Sequence, residues 1–374
     1  MKKVLILANN SIGLYNFRFE LVKEMIQEGF QVYFTVPEPG DDEKVKLLKE
    51  VGAKFIHTPM NRRGINPIED LKLINLYKEV IDNLKPDIVL TYTIKPNIYG
   101  NYIANKFRIP VIMNITGIGS SLSTGKLKVI IKMLYKYAGS KSNTVFFQNQ
   151  NNKHFFVSQG LVDESKTQLI PGSGVNIEKF KPMEVIENGN TIRFLFIGRL
   201  MKEKGIEEYL EVAEELTMKY NNLEFQVLGL PEEDKYKEQI ENNNNVIRYL
   251  GTSHDVRNEI NQVDCVINPS YHEGMSNVLL EGAAMGKPLL ASNIPGCKEI
   301  IDHEENGLLF KSKSVESLKE AIIDFINLSD NERKIMGQKS RIKVEKEFDR
   351  DIVVSEYMKV IKNILEGGVK SESI

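Results

Sequence analysis

The chain has 374 residues, room for about two domains, and its 41% hydrophobic and 27% charged residues exclude a mostly disordered or fibrous protein. Two cysteines, Cys265 and Cys297, are too few for a disulfide scaffold and fit a reducing compartment such as the cytoplasm, and five scattered histidines show no zinc-ligand spacing. The net charge of −2 hides an asymmetry, because residues 88–162 carry nine basic side chains and no acidic one. Such a segment would attract anions: phosphates, nucleic acid or an acidic lipid surface.

In the first half, short β-branched runs alternate with longer amphipathic ones. The first ten residues combine two lysines with a short apolar run, which predicts a buried strand rather than a secretory signal. No run of about 18 apolar residues occurs, so no membrane-spanning helix is expected. Strands are predicted over residues 4–8, 32–36, 54–57, 88–91, 111–114 and 144–148. Helices are predicted over residues 17–28, 42–51, 68–84, 97–106 and 126–137.

The alternation restarts after residues 181–190, a polar stretch predicted to be a surface linker. Strands follow over residues 192–198, 224–229, 246–251, 265–269 and 288–291. Helices are predicted over residues 206–220, 256–262, 277–285, 314–327, 330–346 and 351–365. Near-continuous apolar strands between helices indicate two doubly wound parallel sheets, with ligands at the carboxyl ends of the strands and in a cleft between the halves.

Two basic residues follow the first strand of the second half. Gly198 ends the strand, Arg199 comes next, and Lys204 precedes the following helix. Arginine offers a planar fork for phosphate oxygens and lysine adds a point charge, so this order is typical of a phosphate-binding loop. Two solvated cations in a surface loop would show the same order.

The segment 268–282 again places a loop between a strand and a helix. Ser276 is a good N-cap for a helix that begins at Asn277, and the backbone N–H groups of residues 276–278 would then form an anion site. Glu281 lies about 7–8 Å further along that helix, where its carboxylate could accept two ribose hydroxyls. Glu273, in the loop before the helix, could reach the sugar beyond the pyrophosphate. Such acid pairs are common by chance, and the ordered strand, loop, cap and helix make this pair informative.

These residues resemble the retaining glycosyltransferases of family 4, which have the two-domain GT-B fold. The resemblance rests on Gly198-Arg199-Leu200 with Lys204-Gly205 and on the spacing from Glu273 to Glu281, and it extends over nearly the whole chain. Asn16-Phe17-Arg18 and Thr116-Gly117-x-Gly119 make the first half most similar to bacterial capsule, O-antigen and protein-glycan enzymes. Those enzymes use UDP-sugars, often N-acetylated, and sugar-diphospho-undecaprenol acceptors.

The resemblance implies an α/β protein of two Rossmann-like domains facing across a cleft. Residues 1–172 would bind the acceptor, residues 173–350 would bind the nucleotide-sugar donor, and the helix at 351–365 would pack back on the first domain. It also implies a hexosyltransferase that retains the anomeric configuration and uses neither metal nor cofactor. No Asp-x-Asp motif follows a strand in the first half, in keeping with independence from metal.

The resemblance also implies a role for individual residues of this sequence. Arg199 and Lys204 would neutralise the departing diphosphate, and Glu273 would orient the donor sugar, which makes these three the candidate catalytic residues. Glu281 would hold the ribose. Gly13, in a loop after the first strand, would let the backbone approach the phosphate. The remaining donor-binding candidates line the same loops and the helix start: Gly198, Gly274, Met275, Ser276, Asn277 and Val278.

The first half departs from the family pattern. Many relatives have paired glycines in the first loop, where only Gly13 stands here, and many have a central histidine. Thr91-Tyr92-Thr93 and Asn114-Ile115-Thr116 offer none, so no catalytic base is assigned to this half.

The predicted helix at 126–137 is basic and amphipathic. Lys128, Lys132 and Lys136 form one stripe, and Lys126 lies at its start. These lysines predict an interfacial helix that docks on anionic lipid beside a lipid-linked acceptor, at the inner face of the plasma membrane. An ordinary surface helix with solvated lysines would show the same stripe. A nucleic-acid partner is disfavoured because no binding module or aromatic platform accompanies the lysines.

The sequence therefore predicts transfer of a sugar, such as an N-acetylhexosamine, from a UDP-sugar to a polyprenyl-diphosphate-linked acceptor in surface glycan synthesis. A transferase with a soluble acceptor remains open, as do an epimerase or phosphorylase of the same fold and a catalytically inactive sugar-nucleotide sensor. A nicotinamide dehydrogenase is disfavoured, because no Gly-x-Gly-x-x-Gly leads from a strand into a helix.

Overall fold

The computed structural model describes residues 1–62, 66–117, 128–184, 189–242 and 246–367. The chain divides into two compact units. The first contains residues 1–173 together with the chain from Asp351 onward, and the second contains residues 174–350. Each unit is built around its own parallel sheet.

The sheet of the first unit has the strand order β3-β2-β1-β4-β5-β6-β7, and all its neighbours pair in parallel. The order reverses beside β1, which is the arrangement that creates a ligand-binding edge in doubly wound folds. The strands are β1 (Lys3–Leu7), β2 (Gln31–Val36), β3 (Lys54–His57), β4 (Ile88–Tyr92), β5 (Val111–Ile115), β6 (Thr144–Phe147) and β7 (Thr167–Leu169). The helices between them are α1 (Ser11–Gln27), α2 (Glu43–Glu50), α3 (Pro67–Leu84), α4 (Asn101–Lys106), α5 (Lys128–Lys141) and α6 (Gln150–Ser158).

The sheet of the second unit has the order β10-β9-β8-β11-β12-β13 and is also parallel. Its strands are β8 (Ile192–Ile197), β9 (Leu223–Leu228), β10 (Ile247–Tyr249), β11 (Cys265–Asn268), β12 (Leu289–Ser292) and β13 (Gly307–Phe310). Its helices are α7 (Ile206–Thr217), α8 (Asp234–Asn242), α9 (Arg257–Asn261), α10 (Asn277–Ala284), α11 (Val315–Asn327) and α12 (Asp330–Glu347). Both units therefore have the α/β architecture with a doubly wound parallel sheet that the sequence predicts.

The last helix, α13 (Arg350–Gly367), returns to the first unit and covers its sheet. Tyr357 and Ile361 are fully buried in the core formed by β1, β2 and α1. The Tyr357 ring lies 4.4 Å from that of Phe146, centroid to centroid, and its hydroxyl accepts a hydrogen bond of 2.5 Å from Asn114 Nδ2. The residues of α13 thus contribute to a hydrophobic core whose other members lie between Val4 and Ile170.

Several elements differ from the sequence-based prediction. The first helix begins at Ser11 rather than at residue 17, because the Asn10 side chain caps it by accepting the Gly13 N–H. In the described part of the chain, the short elements α6, β7, α8 and β13 are absent from the prediction. Residues 126 and 127 of the predicted helix at 126–137, residues 185–188 of the predicted linker, and Gly119 lie outside the described residues.

Replacing Ile361 by alanine tests the contribution of α13. The variant loses buried methyl groups in a packed core, so we expect the free energy of unfolding to fall by about 2–5 kcal/mol. Urea denaturation with Lys359→Ala, an exposed change on the same helix, as the control measures this effect. A loss no larger than that of the control would show that α13 is not an integral part of the core.

Candidate functional site

Arg199 lies in the loop after β8, which is hydrogen-bonded to the loop after β9 at the carboxyl edge of the second sheet. Leu200 N donates to Leu230 O, and Glu232 N donates back to Leu200 O, so the loops after β8 and β9 run side by side. Gly229, with φ of 156°, allows this approach, because a Cβ there would lie 1.7 Å from Gly198 O. Arg199 Nη1 donates to Glu232 Oε1 at 3.0 Å, while about half of the arginine side chain remains exposed.

Lys204 is positioned by a helical turn, Lys202–Lys204, that lies against the end of β11. Gly205 ends this turn with φ of 73°, and a Cβ at this position would lie 2.2 Å from Pro269 O. Tyr271 N donates to Glu203 O and joins the turn to the following loop. Only glycine fits at position 205, so this residue sets where Lys204 can reach.

Two of the predicted catalytic residues are in direct contact. Lys204 Nζ lies 2.6 Å from Glu273 Oε1, and both side chains are largely enclosed. Ser270 Oγ donates to the same carboxylate oxygen at 2.8 Å. The pair places a cation and a carboxylate at the carboxyl ends of β8 and β11, where ligands bind in this class of sheet.

Ser276 caps α10 as predicted, and its hydroxyl accepts the Leu279 N–H. Asn268 Nδ2 donates to the same hydroxyl at 2.5 Å. The prediction that the Ser276 backbone amide is available to a ligand is wrong in this structure, because Ser276 N donates to Gly296 O at 2.8 Å. Asn277 and Val278 begin the first turn, whose amides have no partner within a helix, so they are the available donors.

Two other donor-site candidates form the wall behind this helix start. Gly274 O lies where a Cβ on Gly296 would approach to 2.8 Å, so the two backbone segments pack directly on each other. Met275 is buried and contributes its side chain to the core of the second unit. Gly274 has no side chain and the side chain of Met275 is buried, so both residues support the loop and neither presents a side chain to a ligand.

Glu281 lies in α10, one and a half turns after the cap. Burial raises the pKa of its carboxyl group to about 7, although the cations Arg350 and Lys179 act in the opposite direction. Asp255 adds a further increase. A carboxyl group with this pKa is poised to gain or lose its proton near neutral pH, and hydroxyl donors would favour the ionised form.

Gly13 does not lie in a loop, contrary to the prediction. It occupies the first turn of α1 in the first unit, and its N–H already donates to Asn10 Oδ1 at 2.5 Å. Ser11 N is also engaged, by Glu38 Oε2 at 2.8 Å. A phosphate could use the Gly13 amide only by displacing the Asn10 side chain.

The lysine stripe lies on α5. Lys132 Nζ donates to Gln159 Oε1 at 2.6 Å, whereas Lys136 is exposed; Lys126 lies outside the described residues. Beside the stripe, α5 also exposes apolar side chains, namely Val129, Ile130, Met133 and Tyr137. Across the described part of the chain, no helix is long and apolar enough to cross a membrane.

Sequence reasoning missed two polar partners, Glu232 and Ser270. Glu232 is brought to Arg199 by contact between loops that are distant in sequence, so no local pattern pointed to it. Ser270 lies three residues before Glu273 in the same loop, and the alternation of strands and helices carries no signal for a hydrogen bond within a loop. Within the five described ranges, no cluster of three or more His, Cys, Asp or Glu side chains is arranged to hold a metal ion.

Comparison with known proteins yields two family models. Residues 3–149 match the model described as glycosyl transferase 4-like, and residues 178–343 match the model of glycosyl transferases group 1. Together they span most of both units.

Similar proteins match over most of their length. N,N'-diacetylbacillosaminyl-diphospho-undecaprenol alpha-1,3-N-acetylgalactosaminyltransferase of Campylobacter jejuni is 27% identical and covers 96% of this chain and 99% of its own. UDP-Gal:alpha-D-GlcNAc-diphosphoundecaprenol alpha-1,3-galactosyltransferase of Escherichia coli is 29% identical over 81% of each chain. Among solved structures, Anabaena HepE in complex with UDP and glucose matches with a TM-score of 0.78 and 17% identity, over 97% of this chain and 100% of that one.

The raised pKa of Glu281 predicts a pH-dependent stability. The folded protein binds this proton more tightly than the unfolded chain, so the stabilisation is complete below the unfolded pKa and is lost as the pH rises through about 7. We expect the stability of wild type minus that of Glu281→Gln to fall by about 1–3 kcal/mol between about pH 5 and pH 8. Urea denaturation of both proteins measures it, and a difference that does not vary with pH would contradict the assigned pKa.

Proposed function

The chain belongs to the glycosyltransferases of family 4, and we propose that it moves a sugar from a UDP-sugar to a saccharide linked to polyprenyl diphosphate. The contact between Lys204 and Glu273 at the carboxyl edge of the second sheet is the observation on which this proposal rests. The two relatives named above act on undecaprenyl-diphosphate-linked saccharides, and HepE binds UDP in the same fold. These similarities favour surface glycan assembly as the setting and an N-acetylhexosamine or a related sugar as the group transferred.

In this proposal the bound donor replaces the contact between Lys204 and Glu273 with a separate contact to each of them. Lys204 leaves the Glu273 carboxylate for the diphosphate, and Glu273 then accepts hydrogen bonds from hydroxyls of the donor sugar. Arg199, held at one edge by Glu232, turns its remaining N–H groups to the same diphosphate. The amides of Asn277 and Val278 add donors at the helix start, and Glu281 receives the ribose hydroxyls.

The transfer step proposed is front-side attack with retention of configuration. The acceptor oxygen bonds to the anomeric carbon as the bond from that carbon to the diphosphate oxygen breaks, and the acceptor proton passes to the departing phosphate. Positive charge develops at the sugar while negative charge grows on the diphosphate. Fixed cations and helix N–H groups directed at that charge stabilise the transition state, so this step needs no metal ion.

The acceptor would be reached at an anionic membrane surface through α5. The exposed apolar side chains of this helix lie on the side opposite to Ile131 and Tyr135, which are buried against the sheet. The lysine stripe flanks them, and this combination is typical of helices that lie in the membrane interface. A transferase with a soluble acceptor would not need this surface, and an inactive nucleotide-sugar sensor would bind the donor without turnover.

Replacing either proposed phosphate ligand should reduce catalysis. For Arg199→Ala and for Lys204→Ala we expect kcat for sugar transfer to fall by about 10²–10³-fold, since each change removes a fixed donor to the departing phosphate. Lys202→Ala is the matched control, because Lys202 lies in the same turn and is mostly exposed. Near-normal turnover by both variants, with unchanged thermal unfolding, would refute the assignment.

Docking through α5 predicts that a charge on the exposed apolar side of this helix will abolish binding to vesicles. Met133→Asp should abolish flotation with vesicles of phosphatidylglycerol and phosphatidylethanolamine, because it places a charge within the exposed apolar row of α5. Met218→Asp serves as the control, since Met218 is an exposed methionine of the other unit. If wild type does not float with these vesicles, a soluble acceptor becomes the better hypothesis.

A further inference from the structure

The segment after β4 has an unusual backbone. Thr93 has φ of 72°, a left-handed conformation that is costly for a β-branched residue. It is followed by a π-helical turn, Pro96–Gly100, which leads into α4. Strained residues and π turns concentrate at functional sites, and this segment begins at the carboxyl end of a central strand.

A buried ion pair lies beside this segment. Lys95 Nζ is 2.8 Å from Asp70 Oδ1 on α3, and the two side chains are only 13% and 8% exposed. Tyr99 OH donates to the other carboxylate oxygen of Asp70 at 2.9 Å. Buried ion pairs contribute little net stability, so this pair is better explained by a role in binding.

Two adjoining cavities share Lys95 and Met60 as a common wall. The first, of about 260 Å³, is also lined by Asn9, Thr93 and Thr116 at the ends of β1, β4 and β5, and Arg62 adds a second cation beside Lys95. The second, of about 440 Å³, extends along α3. Its further lining includes Glu69, Asp70, Lys72, Leu73 and Leu76.

The lining of the second cavity favours an uncharged polar ligand. Its two acids and two lysines carry no net formal charge, so it lacks the excess of cations that a phosphate requires. Lysine donors beside aspartate acceptors match hydroxyl groups, which both donate and accept, and the leucines can cover the C–H face of a sugar ring. Thr93, which lines the first cavity, has a buried hydroxyl oxygen with no hydrogen-bond partner among the described residues.

We propose that the two cavities are successive saccharide subsites for the acceptor, with Lys95 contacting both sugars. The terminal sugar, which receives the transferred group, occupies the first cavity and hydrogen-bonds to Thr93. The sugar before it occupies the second cavity, against Asp70 and the leucines. This inference rests on the proposed function and assigns residues of the first unit to the recognition of its acceptor.

Two variants separate recognition from stability. Lys95→Met combined with Asp70→Asn removes both charges and leaves neither one unpaired. Thr93→Gly removes the hydroxyl and relieves the left-handed strain, so its stability should match or exceed that of wild type. The control is Lys362→Met combined with Glu28→Gln, which removes an ion pair of 2.9 Å elsewhere in the same unit.

The probes are short-chain polyprenyl diphosphates that carry one or two N-acetylhexosamine residues, with a UDP-N-acetylhexosamine as donor. For Thr93→Gly we expect KM to rise about tenfold for both acceptors, since both place a sugar in the first cavity. For the Lys95 and Asp70 double variant we expect a similar rise for the two-sugar acceptor and a smaller one for the one-sugar acceptor. The donor KM should stay within about twofold of wild type in every variant, and so should both acceptor KM values in the control.

Acceptor KM values within about twofold of wild type in both variants, or a donor KM that rises in parallel, would overturn the inference while wild-type transfer leaves the proposed function intact. An equal rise for both acceptors in the double variant would eliminate the second subsite. No transfer by wild type to either acceptor would refute the proposed function itself, and the saccharide assignment with it.

Discussion

The close approach of Gly205 to the Pro269 carbonyl is the constraint on which the candidate donor site depends. It brings the turn that carries Lys204 against the end of β11, and the loop that follows β11 carries Glu273. A side chain at position 205 would push the turn away from the end of β11 and so move Lys204 away from Glu273. The parallel sheet supplies the shared edge, but this contact decides which side chains meet there.

Much of the architecture could be predicted from the sequence, because buried parallel strands are near-continuous apolar runs. The short elements could not. The residues of α8 are mostly polar, so they form no extended apolar pattern. The start of α1 was misplaced because the apolar periodicity begins later than the helix does, although Asn10 is a recognisable N-cap residue.

In the candidate site, too, the features set by local sequence could be predicted and those set by contacts between distant loops could not. The cap at Ser276 and the start of α10 depend on local sequence and were predicted correctly. The hydrogen bond from the Ser276 amide to Gly296, and the contact of Arg199 with Glu232, depend on how distant loops pack, which local sequence does not encode. The left-handed conformation of Thr93 likewise depends on the surrounding fold, since threonine disfavours this conformation and local sequence does not predict it.

The pairing of Lys204 with Glu273 also bears on how a catalytic cycle would end. In the proposed function, a nucleotide diphosphate that still carries its sugar would compensate both partners, since phosphate would replace the carboxylate for Lys204 and hydroxyls would replace the ammonium for Glu273. Once the sugar has gone, Glu273 has lost its new partners and competes for Lys204 again. The internal ion pair would then act as a built-in competitor of the spent nucleotide, favouring product release and limiting product inhibition.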